Sequence, residues 1–339
     1  MSGETKITSL NTLTDVANAF NSLKVLIIGD VMIDSYLWGK VERISPEAPV
    51  PIVNVQKRDF RLGGAANVAL NVQSLGATPL LCSVIGNDLD GNNFLSLLAN
   101  NNLSPEGIIR SENRITTIKH RVISGSHHML RVDQEIDHEI NAEEQQLLIK
   151  KAHSLIPQCD VVIFEDYDKG VLNEAVISEI IDFARKAGVP TVVDPKKRNF
   201  LHYKKASLFK PNKKELREGL KIESSLNEIS ELESCIKVLQ SHLATDCVLI
   251  TLSEKGIYIT NEKEKYHIPA HVREISDVSG AGDTVISIAA LCYALQLPAK
   301  FVAGLSNLGG GLVCEYVGVV PVNKKQLFSE AEKLAILPA

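Results

Sequence analysis

Asp277-Val278-Ser279-Gly280-Ala281-Gly282-Asp283-Thr284, followed at once by the apolar run 285–295, is the stretch on which the reading of this chain turns. Small residues leading into a helix leave its first backbone N–H groups unpaired at the positive end of the dipole, and such a start receives an anion. Glycine lets that anion approach the backbone closely. A carboxylate at Asp283 beside bound phosphate is electrostatically costly unless it takes up a proton or faces a cation, so its placement suits a general base. A hydroxyl bound at Asp283 would lose its proton there and attack the terminal phosphoryl group of a nucleotide lying over Gly280, Ala281 and Gly282. A glycine-rich turn capped by Asp283 reads equally well from these eight residues alone, and the rest of the chain has to decide.

The 339 residues allow one large α/β domain or two smaller ones. Hydrophobic residues at 45%, charged ones at 23% and a net charge of -5 describe an ordinary globular protein. With no basic excess to attract nucleic acid or a membrane surface, small molecules are the expected partners. The six cysteines, at 82, 159, 235, 247, 292 and 314, lack a C-x-x-C spacing and read as reduced core residues. No long apolar leader opens the chain, and nowhere are about 18 consecutive residues apolar, so a cytoplasmic protein is expected.

Lys24 to Ile28 is a short apolar run ending in Gly29-Asp30, the pattern of a strand buried on both faces. Arg43 to Val55 mixes three prolines with β-branched residues, which excludes a central strand and suits an edge or flap. Gly63-Gly64-Ala65-Ala66-Asn67 opens a helix, so glycines again precede a helix start. Residues 115–123 and 127–133 alternate as a strand pair joined by Ser124-Gly125-Ser126, and 40–56 with 115–133 are expected to form a small β lid. From Ala142 onward helix and strand patterns alternate, the sign of parallel βαβ units. Without a linker or repeat, residues 1–339 read as one α/β domain: a central, mostly parallel sheet flanked by helices, plus the lid.

In open parallel sheets ligands bind beyond the carboxyl ends of the strands, and the polar residues gather there. Asp30 and Asp34 follow the first strand, Glu165 to Gly170 and Asp194-Pro195-Lys196 follow two others, and Asn212-Lys213-Lys214-Glu215 comes next. Glu215 can hold magnesium through water, since that ion keeps several waters when phosphates are present, and Lys169, Lys196, Lys213 and Lys214 can neutralise phosphate. For each alone a solvated loop charge is the simpler reading; together they argue for a site. Neither a P-loop nor a dinucleotide fingerprint accounts for the glycines, and no histidine has metal-ligand spacing.

Taken together, these pieces resemble the ribokinase-like sugar kinases, also called PfkB carbohydrate kinases, over nearly the whole chain. Gly63 to Asn67 is similar to that family's first signature, Asn212 to Glu215 to its N-x-x-E motif, Thr251 to Gly256 to its T-L-G-x-x-G turn, and Asp277 to Thr284 to its D-T-x-G-A-G-D signature. The resemblance implies a ribokinase-like fold, Asp283 as catalytic base, and Gly280, Ala281 and Gly282 as anion hole. It implies an ATP and magnesium site at Asn212, Lys213, Lys214, Glu215, Ser253 and Gly256, and a sugar site at Asp34, Gly63, Gly64 and Asn67 with Lys169 and Lys196 for a sugar phosphate. A monovalent cation and a homodimer through the lid are further expectations. Within the family, residues 29–34, 43–51, 166–170 and 194–196 most resemble the branch acting on D-glycero-β-D-manno-heptose 7-phosphate, often joined to a nucleotidyltransferase domain. No H-x-G-H motif occurs, so that second domain is expected to be missing. Ribose, fructose 6-phosphate or a nucleoside are alternative acceptors, and a non-catalytic sugar or nucleotide sensor is the alternative from another class. Departures from the pattern, Ser253 for a glycine and Val278-Ser279 after Asp277, bear on nucleotide preference; Gly309-Gly310-Gly311, where relatives have alanines, is expected to loosen the adenine wall.

Overall fold

Lys24–Gly29 (β1) is apolar on both faces, and alternate residues of it enter opposite cores. Val25 and Ile27 pack into one buried cluster, Leu26 and Ile28 into another. A computed structural model describes residues 10–125 and 127–338; the leader to residue 9, Ser126 of the expected turn and Ala339 lie outside these. Among the described residues the remaining strands are β2 (Val31–Ile44), β3 (Pro51–Gly64), β4 (Thr78–Gly86), β5 (Gly107–Ser111), β6 (Ile118–Ser124), β7 (His127–Gln134), β8 (Val161–Glu165), β9 (Thr191–Asp194), β10 (Leu208–Phe209), β11 (Cys247–Thr251), β12 (Ile257–Asn261) and β13 (Lys265–Ile268). The α-helices are α1 (Leu13–Phe20), α2 (Ala65–Ser74), α3 (Leu89–Asn100), α4 (Ala142–Leu155), α5 (Glu174–Lys186), α6 (Lys213–Gly219), α7 (Ile229–Leu243), α8 (Ala281–Ala294), α9 (Ala299–Val313) and α10 (Lys324–Lys333).

Nine strands form one sheet in the order β13-β12-β11-β10-β9-β8-β1-β4-β5, parallel except where β12 and β13 turn back. Helices α1, α2, α3, α8, α9 and α10 cover one face and α4, α5, α6 and α7 the other, as their buried residues divide between the two clusters. The chain runs outward from β1 to β5 on one side and from β8 to β11 on the other, so the order reverses between β1 and β8. That reversal opens a crevice at the carboxyl ends of the strands. Helix α8 is buried along most of its length, and Gly309 and Gly310 let α9 lie close upon it: side chains there would press on Ile288 and Val285. These two glycines serve helix packing, and Gly311 faces Arg273.

The second sheet has the order β3-β2-β6-β7. Its prolines obey the rule that excluded a central strand, because β3 is an edge and Pro51 is its first residue, with Pro46 and Pro49 in the preceding connection. Residues 40–56 and 115–133 fall largely within this sheet, which begins earlier, at Val31. Among the described residues no helix is long and apolar enough to cross a membrane.

Candidate active site

Two helices begin at glycines with positive φ, and their first turns meet. Gly64 before α2 has φ 59° and Gly280 before α8 has φ 81°, and neither helix carries a side-chain cap. Only glycine takes such φ values without strain, and at Gly64 a β-carbon would also strike the carbonyl of Asp30. The third residue of α2 is Asn67 and the third of α8 is Asp283. Across 216 positions of sequence the Asn67 amide donates to Asp283 Oδ2 at 2.6 Å. The Tyr167 hydroxyl donates to Asp283 Oδ1 at 2.8 Å. Both carboxylate oxygens are thus fixed, and Asp283 is only 4% exposed.

Strands β1, β8 and β9 bring Gly29, Glu165 and Asp194 side by side in register at the crevice. Asp30 follows, its carboxylate accepting the backbone N–H groups of Tyr167 (2.8 Å), Lys169 (3.1 Å) and Val171 (3.1 Å), which anchors the 166–170 loop. Asp194 Oδ2 meets the Lys210 ammonium at 2.7 Å, both groups buried, and a β-carbon on Gly282 would stand 3.6 Å from that oxygen. A buried ion pair therefore lies close to the open helix start. Lys196 completes the cluster: its ammonium pairs with Glu215, stands 3.8 Å from Asp194 and lies over the Tyr167 ring at 5.3 Å.

Burial pushes the Asp283 carboxyl above the usual carboxylate range against the hydrogen bonds from Asn67 and Tyr167, with the Asp194 charge adding to the rise. Glu165 is pushed well above that range by burial and by the charges of Asp194 and Asp283. Among the described residues neither of its oxygens has a hydrogen-bond partner, and Asp194 Oδ1 has none either. Burial works against the charge on Lys196, but Asp194 and Glu215 outweigh it and hold the ammonium protonated. An uncapped helix start, a fixed carboxylate and buried cations together are what proton abstraction beside a polyanion requires.

The residues expected from the sequence fall into three groups. Asp283, Gly280, Ala281, Gly282, Gly64 and Asn67 meet at the two helix starts. Gly63 belongs beside them, because a β-carbon there would lie 2.6 Å from Asp34 Oδ2, and Asp34 is itself paired with Arg121. Farther along the sheet, Asn212 bridges to Thr251, and Ser253 (φ 54°) and Gly256 (φ 88°) form the turn between β11 and β12. Ser253 thus keeps a glycine-like backbone without being glycine. Glu215 is held on both oxygens, one by Lys196 and the other by the Asn212 N–H at 2.8 Å. Lys213 reaches Asn227 at 2.8 Å, and Lys214 faces Glu218 at 3.8 Å from an exposed position. Lys196 and Lys169, grouped by the sequence reading, are divided: Lys169 pairs with Glu135 at 2.8 Å. Glu165, Tyr167 and Lys210 received no role from sequence; their signal is a polar residue at the end of, or just beyond, a strand buried throughout.

A sequence profile described as pfkB family carbohydrate kinase matches residues 22–325. The bifunctional protein HldE of Desulfatibacillum aliphaticivorans is 38% identical over 314 residues, covering 92% of this chain and 64% of that protein. HldE of Helicobacter pylori (strain G27) is 38% identical over 295 residues, 87% of this chain and 63% of that protein. The chain thus spans less than two thirds of the length of these curated relatives. Among solved structures, phosphofructokinase-2 from Escherichia coli in complex with potassium superposes with TM-score 0.75 at 16% identity, over 91% of this chain and 99% of that one. A ribokinase described as putative, from Agrobacterium tumefaciens, gives 0.71 at 16%, over 93% and 99%. At such identities the likeness speaks for the fold, which is ribokinase-like α/β. The profile and the curated relatives speak for more: this protein belongs to the pfkB family of carbohydrate kinases and is a phosphotransferase with an alcohol group as acceptor.

Proposed function

We propose that the protein transfers the terminal phosphoryl group of ATP to the anomeric oxygen of D-glycero-β-D-manno-heptose 7-phosphate, giving the 1,7-bisphosphate for nucleotide-activated heptose and surface-polysaccharide synthesis. The observation that carries the chemistry is the Asp283 carboxylate at a glycine-led, uncapped helix start. The choice of acceptor is supported by the resemblance of residues 29–34, 43–51, 166–170 and 194–196 to the heptose-phosphate branch. Similarity to longer proteins named bifunctional agrees with it.

In this reading Asp283 accepts the proton of the anomeric hydroxyl, which is more acidic than other sugar hydroxyls and so needs only one carboxylate. Asn67 and Tyr167 hold the carboxylate in position. The N–H groups at Gly280, Ala281 and Gly282 receive charge developing on the transferred phosphoryl oxygens. Lys196 and Lys210 offset the negative charge gathered at Asp194 and Glu215. The residues fit magnesium: among the described residues both Glu165 oxygens and Asp194 Oδ1 are buried without partners, and few protein ligands are needed where phosphates bind. Bound with ATP, the ion would neutralise phosphate charge. Glu215, with both oxygens already engaged, would act through water. A monovalent cation belongs to the same reading, as does a homodimer through the exposed Val50 and Val55 of the edge strand segment. A cytoplasmic location belongs to it too, since ATP and sugar phosphates are found there.

The test is kcat/KM for heptose 7-phosphate beside ribose, fructose, fructose 6-phosphate and adenosine, with ADP release measured with and without acceptor. An unphosphorylated sugar as best substrate overturns the acceptor. ADP release that no sugar stimulates would favour the sensor.

A further inference from the structure

One face of the four-stranded sheet carries more charge than this chemistry uses. Register places Asp34, Lys119 and Asp133 abreast across β2, β6 and β7, and Tyr36, Arg121 and Arg131 in the next rank on the same face. On this face Asp34 and Tyr36 are buried and Lys119 is largely shielded, whereas Arg131 on the outer strand is exposed. Lys119 donates to Asp133 at 3.1 Å and to Glu135 Oε2 at 2.8 Å, while Lys169, from the body of the molecule, donates to Glu135 Oε1 at 2.8 Å. Two largely shielded ammonium groups, 13% and 17% exposed, therefore bracket a single carboxylate. Desolvation alone would raise the Glu135 pKa, but hydrogen bonds and charge from both lysines hold it below the usual range. One lysine on each oxygen is the environment a phosphate group would also find.

The clamp is tied to the crevice at both ends. Lys169 lies two residues beyond Tyr167, whose hydroxyl touches Asp283, and both residues give their backbone N–H to Asp30 Oδ2. Lys119 neighbours Asp34, against which Gly63 packs.

We propose that Lys119 and Lys169 bind the phosphate already carried by the acceptor, and that Glu135 fills this subsite until the acceptor displaces it. The proposal rests on the reading of the acceptor as a sugar phosphate. With Glu135 moved aside, the ion pairs left to Lys119, Lys169, Arg121 and Arg131 among the described residues are with Asp34 and Asp133, an excess of positive charge that suits a phosphate near two negative charges. A neutral sugar has nothing with which to replace the glutamate. Glu135 thus acts as an internal competitor that favours phosphorylated acceptors.

The experiment measures kcat and KM for heptose 7-phosphate and for the unphosphorylated heptose at saturating ATP in the wild type, Lys119→Met, Lys119→Arg and Glu135→Gln. Calorimetric titration of each protein with inorganic phosphate, without nucleotide, accompanies it. Lys119→Met is expected to raise KM for the phosphorylated sugar by roughly 10- to 100-fold, as loss of a charge-assisted hydrogen bond would, with kcat little changed. Lys119→Arg recovers most of that loss, and KM for the unphosphorylated sugar stays put. Glu135→Gln moves the other way, lowering KM for the phosphorylated sugar severalfold and tightening inorganic phosphate. A phosphate preference that survives Lys119→Met overturns the subsite alone. Weakening by Glu135→Gln as large as that by Lys119→Met shows the ion pairs to be a mere latch and overturns the competitor role. A wild type without preference for the phosphorylated sugar overturns the acceptor reading, and the subsite with it.

Discussion

Helices α6 and α8 both follow strands of the same sheet, each with an acidic third residue, yet their first turns are built in opposite ways. In α6, Asn212 Oδ1 accepts the Glu215 N–H at 2.8 Å and Glu215 Oε2 accepts the Asn212 N–H at 2.8 Å, a reciprocal box that satisfies the donors internally. In α8 the residue before the helix is Gly280, which has no side chain to give, and Asp283 turns to Asn67 and Tyr167 instead. A cap is worth about 0.5–2 kcal/mol, so α8 forgoes that local stabilisation and depends on its buried length. The difference separates a carboxylate that closes its own helix start from one held by partners on other elements.

The comparison breaks most sharply at Asp283. Asp283→Ala is expected to lower turnover by about 10² to 10⁴ while ATP affinity changes little, because the proposed base would act in the transition state. Near-normal turnover would remove it as base. In the wild type the acidic limb of kcat/KM should lie above the ordinary carboxylate range, since burial raises the pKa of this group and the rate needs its charged form. Its effect on stability has the opposite sign: the contribution is fully present below the unfolded-state pKa and is lost as pH rises through the raised folded value. An acidic limb at the usual carboxylate position would argue that another group is titrating.

Gly280→Ala sharpens the contrast from the backbone. At φ 81° a side chain costs about 1–2 kcal/mol, and its β-carbon would stand 3.1 Å from the Asn67 amide that donates to Asp283. Turnover should fall by about tenfold or more, and urea denaturation should record the strain. Wild-type values in both would mean the open start tolerates a side chain. Glu215→Gln should raise the magnesium concentration for half-maximal rate severalfold; glutamine also closes a capping box, so a fall in the thermal midpoint would report the lost Lys196 pair rather than the cap. Unchanged magnesium dependence removes Glu215 from the metal's surroundings. The smallest effect is expected of Asn212→Asp, which keeps the cap; Asn212→Ala should lose about 1 kcal/mol, seen by calorimetry as a midpoint lower by about 2 °C. Equal midpoints for the two variants would show that the box contributes nothing.

Much of this was open to inspection in the sequence. Strands such as Val161–Glu165 and Cys247–Thr251 announce themselves because burial on both faces leaves no polar position to interrupt the run. Both glycine-led helix starts were legible because backbone at positive φ favours glycine. The strand Val31–Ile44 was hidden: one of its faces packs on the core while the other carries Asp34 and Tyr36 into the site, so its polarity pattern looks irregular. Pairings such as Asn67 with Asp283, or Lys169 with Glu135, depend on which loops the topology brings together, and local patterning holds no trace of that. Lys196 and Lys169 illustrate the limit, being alike in sequence position and divided in space.

Arg61 on β3 donates to the carbonyls of Val319 at 3.0 Å and Val317 at 3.4 Å, and the Tyr36 hydroxyl on β2 accepts the Val319 N–H at 3.3 Å. Beyond these points β2 and β3 slip register twice, between Trp38 and Gly39 and between Val41 and Arg43. Mechanically, this is a leaf spring bolted at one end: the bolted half keeps Asp34 at a fixed distance from the body, and the bulged half supplies the compliance. A force applied at the tip near Pro46 would bend the blade before it disturbed the root.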